Sequence, residues 1–164
     1  MQTAMTQVRP GSNTPGMGRV LDFMRMLWAV DHGLQSISKR LEASVGVTGP
    51  QRLVIRIVGQ FPGISAGDLA HILHIHPSTL TGVLKRLVSR GQIARRADPQ
   101  DARRAQFALT AAGQRLNRMR AGTVEAAVLR ALTRLDGEQI DAACGVLKVL
   151  ADELGPGSNE ESSD

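Results

Sequence analysis

The sequence predicts a mainly α-helical domain: a winged helix-turn-helix with long terminal helices suited to dimerisation and a two-stranded β-wing. Three observations carry that expectation. Apolar residues recur at helical spacing through most of the chain. Near its middle, two short helices are joined by a turn of three or four residues. Directly behind them, two extended segments flank a stretch of turn formers and arginine, which reads as a hairpin. The chain has 164 residues, enough for one domain with a real core, and 42% are hydrophobic, which excludes a disordered chain despite 17 glycines.

Residues 1–18 are polar, rich in Gly and Pro and without periodicity, so a flexible arm is expected there. From Arg19 to about Ser44, Val20, Leu21, Met24, Leu27, Trp28, Leu34, Ile37 and Leu41 mark a first helix that stops near Gly46. Thr48-Gly49-Pro50 opens a second, with Leu53, Val54, Ile57, Val58 and Phe61 expected on its buried side. Ser65, with Asp68 three residues on, caps a third helix whose buried positions are Leu69, Ala70, Ile72 and Leu73. After a turn at His74-Ile75-His76, Pro77 starts a fourth helix to Arg90, with Leu80, Val83, Leu84, Leu87 and Val88 inward. Gly91 stops it. Residues 92–96 and 105–109 form the wing strands, Ala105, Phe107 and Leu109 alternating toward the helices. Thr110 caps a long fifth helix through about Arg134, and Asp136 with Gln139 caps a sixth.

In that last helix Ile140, Ala143, Leu147, Leu150 and Leu154 are spaced 3, 4, 3, 4, a narrow seam that wants a partner helix. A homodimer explains it better than a single monomeric bundle. The domain proper is expected at 19–154, with 50–110 as the winged helix-turn-helix, 19–46 and 111–154 as dimerisation helices, and 155–164 as an acidic flexible tail.

Charge points to the partner. Lys and Arg number 20 against 15 Asp and Glu, a formal +5. Between His76 and Arg104 lie Lys85, Arg86, Arg90, Arg95, Arg96, Arg103 and Arg104, against only Asp98 and Asp101. Such a concentration suits a polyanion. Aromatics are only 2% of the chain, too few for a base-stacking single-strand binder. The longest apolar run, Met26 to Val30, is far short of a membrane span, and residues 1–18 hold no signal-peptide core. A cytoplasmic protein without membrane contact is expected. No nucleophile elbow, P-loop or plausible triad is present, so no enzyme and no cofactor are expected.

Asp98-Pro99-Gln100-Asp101-Ala102-Arg103-Arg104, running into Leu109-Thr110-Ala111-Ala112-Gly113, resembles the MarR family of bacterial transcription regulators. Leu69-Ala70, then His76-Pro77-Ser78-Thr79-Leu80-Thr81 and Arg86-Leu87, support it. The resemblance implies a homodimer that binds double-stranded DNA at a roughly palindromic operator, often represses, and is often released by a small-molecule effector. It also implies that Asp101 braces the wing through an arginine, Arg103 or Arg86.

A helical wheel puts Ser78, Gly82, Lys85 and Ser89 opposite the buried side of the fourth helix, flanked by Thr79, Thr81 and Arg86. Hydroxyls near the start of such a helix suit base edges and phosphates, and Lys85 and Arg86 suit the backbone. Arg103 at the wing tip suits a narrow minor groove, with Arg95, Arg96 and Arg104 adding positive charge. His76 is either a helix cap or a phosphate contact. Gly82 departs from the family pattern, where a larger residue is common; either it permits close backbone approach to DNA or it marks a weaker contact.

His71, His74 and His76 invite a metal, but no Cys is near and the nearest acid is Asp68, so none is expected. Cys144, the only cysteine, sits beside the apolar seam and reads as a small buried residue. Two other readings stand beside the ligand-responsive repressor: a winged helix that binds an acidic protein, and a metal- or redox-gated regulator.

Overall fold

The structure is a computed structural model that describes residues 18–101 and 103–155. The arm expected at 1–18 and the tail expected at 155–164 lie outside the described residues, save Gly18, which begins α1, and Gly155. The elements run α1 (Gly18–Val45), α2 (Gly49–Gln60), β1 (Ile64–Ser65), α3 (Ala66–Leu73), α4 (Pro77–Ser89), β2 (Ile93–Ala97), β3 (Ala105–Leu109), α5 (Ala111–Arg118), α6 (Val124–Leu132) and α7 (Gly137–Glu153). No helix among these residues is long and apolar enough to cross a membrane.

Local chemistry explains most boundaries. Thr48 accepts from the Gln51 N–H while the Gln51 side chain accepts from the Thr48 N–H, a full capping box for α2. Asp136 and Gln139 make the same reciprocal pair at α7. Ser65 caps α3 through the Asp68 N–H, but the Asp68 carboxylate takes the Ser65 hydroxyl at 2.7 Å rather than a main-chain group. Gly91, at φ +63°, ends α4 where expected.

One core unites α2, α3, α4 and the sheet. Leu41, Val47, Val54, Ile55, Val58, Leu69, Leu80, Leu84, Leu87, Ile93 and Phe107 are buried in it. The expected face of α4 is the observed one, with Val83 and Val88 packed at its margin. Phe107 is buried and Ala105 and Leu109 pack beside it, as the alternation predicted.

Several expectations need correction. The wing hairpin of β2 and β3 is present, but the sheet has a third strand: β1 pairs antiparallel with β3, giving the order β1-β3-β2 with Ile64 opposite Phe107. Two residues were too short a run to show as a strand in sequence. On α2, Leu53 and Phe61 are exposed, while Gln51, Arg52 and Ile55 are buried. Ile72 on α3 is exposed too.

The fifth helix is not continuous to Arg134. It breaks after Arg118, and α6 restarts behind Thr123, whose hydroxyl accepts from the Ala126 N–H. Gly122 takes φ +70° in the gap, a region glycine enters without steric cost. Arg52 holds the break open: its guanidinium donates to the carbonyls of Leu116 and, at 2.6 Å, Met119. An unbroken helix would spend those carbonyls on N–H groups four residues ahead.

Burial against the chain itself is thin at both ends. Of the apolar positions predicted for α1 only Leu41 is buried, and α7 buries none of its residues. Cys144 is therefore exposed, not buried.

Candidate nucleic-acid interface

The helix-turn-helix is set by two unusual caps. His74 closes α3 in the left-handed region at φ +50°, which a short turn into α4 requires. His76 then caps α4: Ser78 brings its main-chain N–H (3.2 Å) and its hydroxyl (2.6 Å) to Nδ1. The cap reading of His76 is the observed one. The rings of His71 and His74 lie 6.4 Å apart, and among the described residues no three His, Cys, Asp or Glu side chains are grouped to hold a metal.

With Leu80, Leu84 and Leu87 buried, α4 presents Ser78, Thr79, Thr81, Gly82, Lys85 and Arg86 to the outside. Opposite stands the wing. Arg95 pairs across the sheet with Phe107, so it shares the face turned toward α4, while Arg96 pairs with Gln106 on the other face. A cleft of about 780 Å³ opens between helix and wing, and Thr81, Lys85, Arg95, Arg103 and Arg104 line it. These five candidates are brought together. His76 lies apart, in a second cavity of about 500 Å³ with His71, His74 and Asp152. Arg90 belongs to the architecture, since its guanidinium donates to the Gly46 carbonyl.

Asp101 organises the wing tip, through partners other than the two arginine side chains expected. Its Oδ1 accepts the main-chain N–H of Arg103 at 3.0 Å, and its Oδ2 lies 3.9 Å from Nε of Arg104. Among the described residues the Arg103 guanidinium makes no hydrogen bond or ion pair. Asp98 anchors the other side of the turn; the N–H of Gln100, then the side chain of Gln106, hold its carboxyl below the ordinary 3.8.

The Leu109-Thr110-Ala111-Ala112-Gly113 stretch has a structural rather than a contact role. The Thr110 hydroxyl donates to the Gly91 carbonyl at 2.6 Å and accepts from the Gly113 N–H at 3.2 Å. A Cβ on Gly113 would stand 2.0 Å from the Gln92 carbonyl oxygen. The motif ties the end of α4, the wing and α5 into one corner.

A second group was missed in sequence. Arg52 and Arg56 of α2 reach Glu125 of α6 at 3.1 and 3.7 Å, and Arg56 also donates to the carbonyl and side chain of Asn117. The available signal was a charged residue inside the Gln51-to-Val58 buried face, which the helical period alone reads as solvent-facing.

Comparison with known proteins agrees with this geometry. The MarR family profile matches residues 47–105. The HTH-type transcriptional repressor Mb2911 of Mycobacterium bovis is 34% identical over 95 residues, 58% of this chain and 68% of that one. The S. aureus MepR–DNA complex superposes with a TM-score of 0.65 at 21% identity, covering 80% of this chain and 97% of that one. Streptococcus pneumoniae FabT in complex with DNA does so at 0.62 and 21%, over 82% and 96%. Fold and basic face together define a winged helix-turn-helix regulator rather than an enzyme. The chain belongs to the MarR family.

Proposed function

We propose that this chain binds double-stranded DNA as a homodimer at a roughly palindromic operator, and represses transcription there until a small-molecule effector releases it. The observation that carries the reading is the cleft between α4 and the wing, where Thr81, Lys85, Arg95, Arg103 and Arg104 face a common space. Ser78, Thr79 and Thr81 would meet base edges, Lys85 and Arg86 phosphates, and Arg103 an adjacent minor groove, with Arg95, Arg96 and Arg104 adding charge and His76 capping the helix. Asp101 would brace the tip.

Residues 50–110 serve as the reading head in this view, and 19–46 and 111–154 as the dimerisation helices. The apolar residues that α1 and α7 leave exposed, including Leu147 and Leu154, support a second copy as their cover. Repression is what Mb2911 is described as doing. The PcaV regulator of Streptomyces coelicolor was solved with its natural ligand, which supports an effector here without specifying one.

The test is retardation of duplex DNA selected by the protein from a random pool, measured across salt. Tight, salt-sensitive and sequence-selective binding is expected. Absence of binding to any duplex overturns the proposal and favours an acidic protein partner for the wing.

A further inference from the structure

We infer that Gly82 is a specificity-determining position of the DNA-reading helix, and that the base it selects is thymine. The inference rests on the DNA-binding reading above. Gly82 lies in the interior of α4, on the exposed face, and a Cβ added there would meet nothing within 4 Å. It is not among the glycines with positive φ, so neither space nor backbone conformation in this fold asks for glycine. The helix itself disfavours it relative to alanine. A glycine without an internal reason suits close approach of the backbone to an outside molecule.

Its surroundings say which molecule. Thr81, the preceding residue, lines the cleft with Lys85, Arg95, Arg103 and Arg104, so Gly82 borders the concentrated positive charge of the chain. One helical turn away on either side stand Ser78 and Lys85 or Arg86. The hydroxyls of Ser78 and Thr81 are tied down, the first 2.6 Å from the His76 ring and the second donating to the Pro77 carbonyl at 2.9 Å. Gly82 thus leaves bare backbone in an exposed face whose neighbours Ser78, Thr81, Lys85 and Arg86 are polar.

A position without a side chain offers no hydrogen bond. A purine would bring N7 and a polar exocyclic group to it and leave them unpaired, whereas a pyrimidine brings its C5 edge. Thymine alone brings a methyl, which gains by leaving water against the glycine Cα. A single added methyl on the protein would occupy the same space.

The experiment selects duplexes with wild-type protein, then measures affinity by fluorescence anisotropy for wild type and Gly82→Ala. We expect one thymine in each half-site whose replacement by deoxyuridine weakens wild-type binding about fourfold, the worth of one buried methyl. Gly82→Ala should melt no lower than wild type. On the selected duplex it should lose roughly tenfold or more, the cost of overfilling a packed contact, and no longer distinguish thymine from uracil. Equal binding of the selected duplex by both proteins overturns the inference, as does wild-type indifference to uracil at every thymine or a lowered melting temperature for the variant. A wild-type protein that enriches no duplex overturns the DNA-binding reading itself, and this inference with it.

Discussion

Arg52 and Glu125, 73 residues apart in the chain, meet at 3.1 Å with the arginine side chain only 2% exposed. The pair joins α2 to α6 across the fold. The same guanidinium holds the carbonyls of Leu116 and Met119. One side chain therefore both bridges two parts of the fold and ends a helix.

Replacing Arg52 by Met removes every one of these donors while keeping the volume. The two helix-end carbonyls lose their donor, while Glu125, 36% exposed, keeps Arg56 at 3.7 Å, so a loss of about 1–3 kcal/mol is expected. Urea unfolding at fixed protein concentration measures it. Arg52→Lys should recover little, because one ammonium cannot span three acceptors in two planes. A variant as stable as wild type would show the network to be ornamental.

Gly113→Ala tests the corner behind the wing. Its new methyl would lie 2.0 Å from the Gln92 carbonyl oxygen, so backbone must move. Overpacking of this kind costs about 1–3 kcal/mol, and here the obstacle is main chain rather than a flexible tip, so the upper end is expected. Thermal melting reads it. Gly82→Ala makes the internal control, with a gain of roughly 1 kcal/mol from helix propensity alone.

At the wing, Asp101→Ala and Asp101→Asn separate bracing from charge. Both raise the net charge by one, which by simple electrostatics tightens binding to any DNA. The Asn variant keeps an acceptor for the Arg103 N–H, now held at 3.0 Å, and the Ala variant does not. Asn should retain selected-duplex affinity and Ala should lose it. Equal tightening by both on random and selected duplex would reduce the wing to a basic patch. Lys85→Ala, by contrast, should weaken both duplexes alike and lower the log–log salt slope by roughly 0.9.

The exposed faces of α1 and α7 predict a dimer visible through the single tryptophan. Trp28 is 77% exposed and Leu147 57% exposed in the isolated chain. Light scattering should give twice the chain mass, and Leu147→Glu should reduce it by placing a charge in the seam. Emission from Trp28 should then shift to the red as its face meets water. An unchanged mass for the variant would place the interface elsewhere.

Acid should spare the wing until low pH. Because hydrogen bonds hold the Asp98 carboxyl below 3.8 in the folded protein, the stability it contributes is full above that value and disappears as pH falls through the lowered one. The Gln100 amide, followed by NMR, should keep its folded shift at pH 4 and lose it only below. Loss already at pH 5 would mean the wing turn is held by something else.

Much of this was legible from residue order because the determinants are local. Caps at Thr48, Ser65, Thr110 and Asp136 act within three residues, and the Leu80-Leu84-Leu87 spacing states which side of α4 faces inward. Hence the basic face followed from pattern and charge. The break between α5 and α6 was not read in sequence, although Gly122 at φ +70° and the cap at Thr123 are its local determinants. The seam of α7 was visible as a pattern, yet in a single chain it stays uncovered, which is also why Cys144 is exposed rather than buried.

By itself, then, the sequence determined the first four helices, the wing hairpin behind them and the positive charge around α4, since each depends on neighbours within a turn or a hairpin. Tertiary structure alone decided that β1 joins the sheet and that Arg52 lies buried against Glu125. These outcomes depend on which buried polar groups find partners across the fold. A desolvated guanidinium or an unpaired strand edge is settled by what stands opposite it, and that information is spread over residues far apart in the chain.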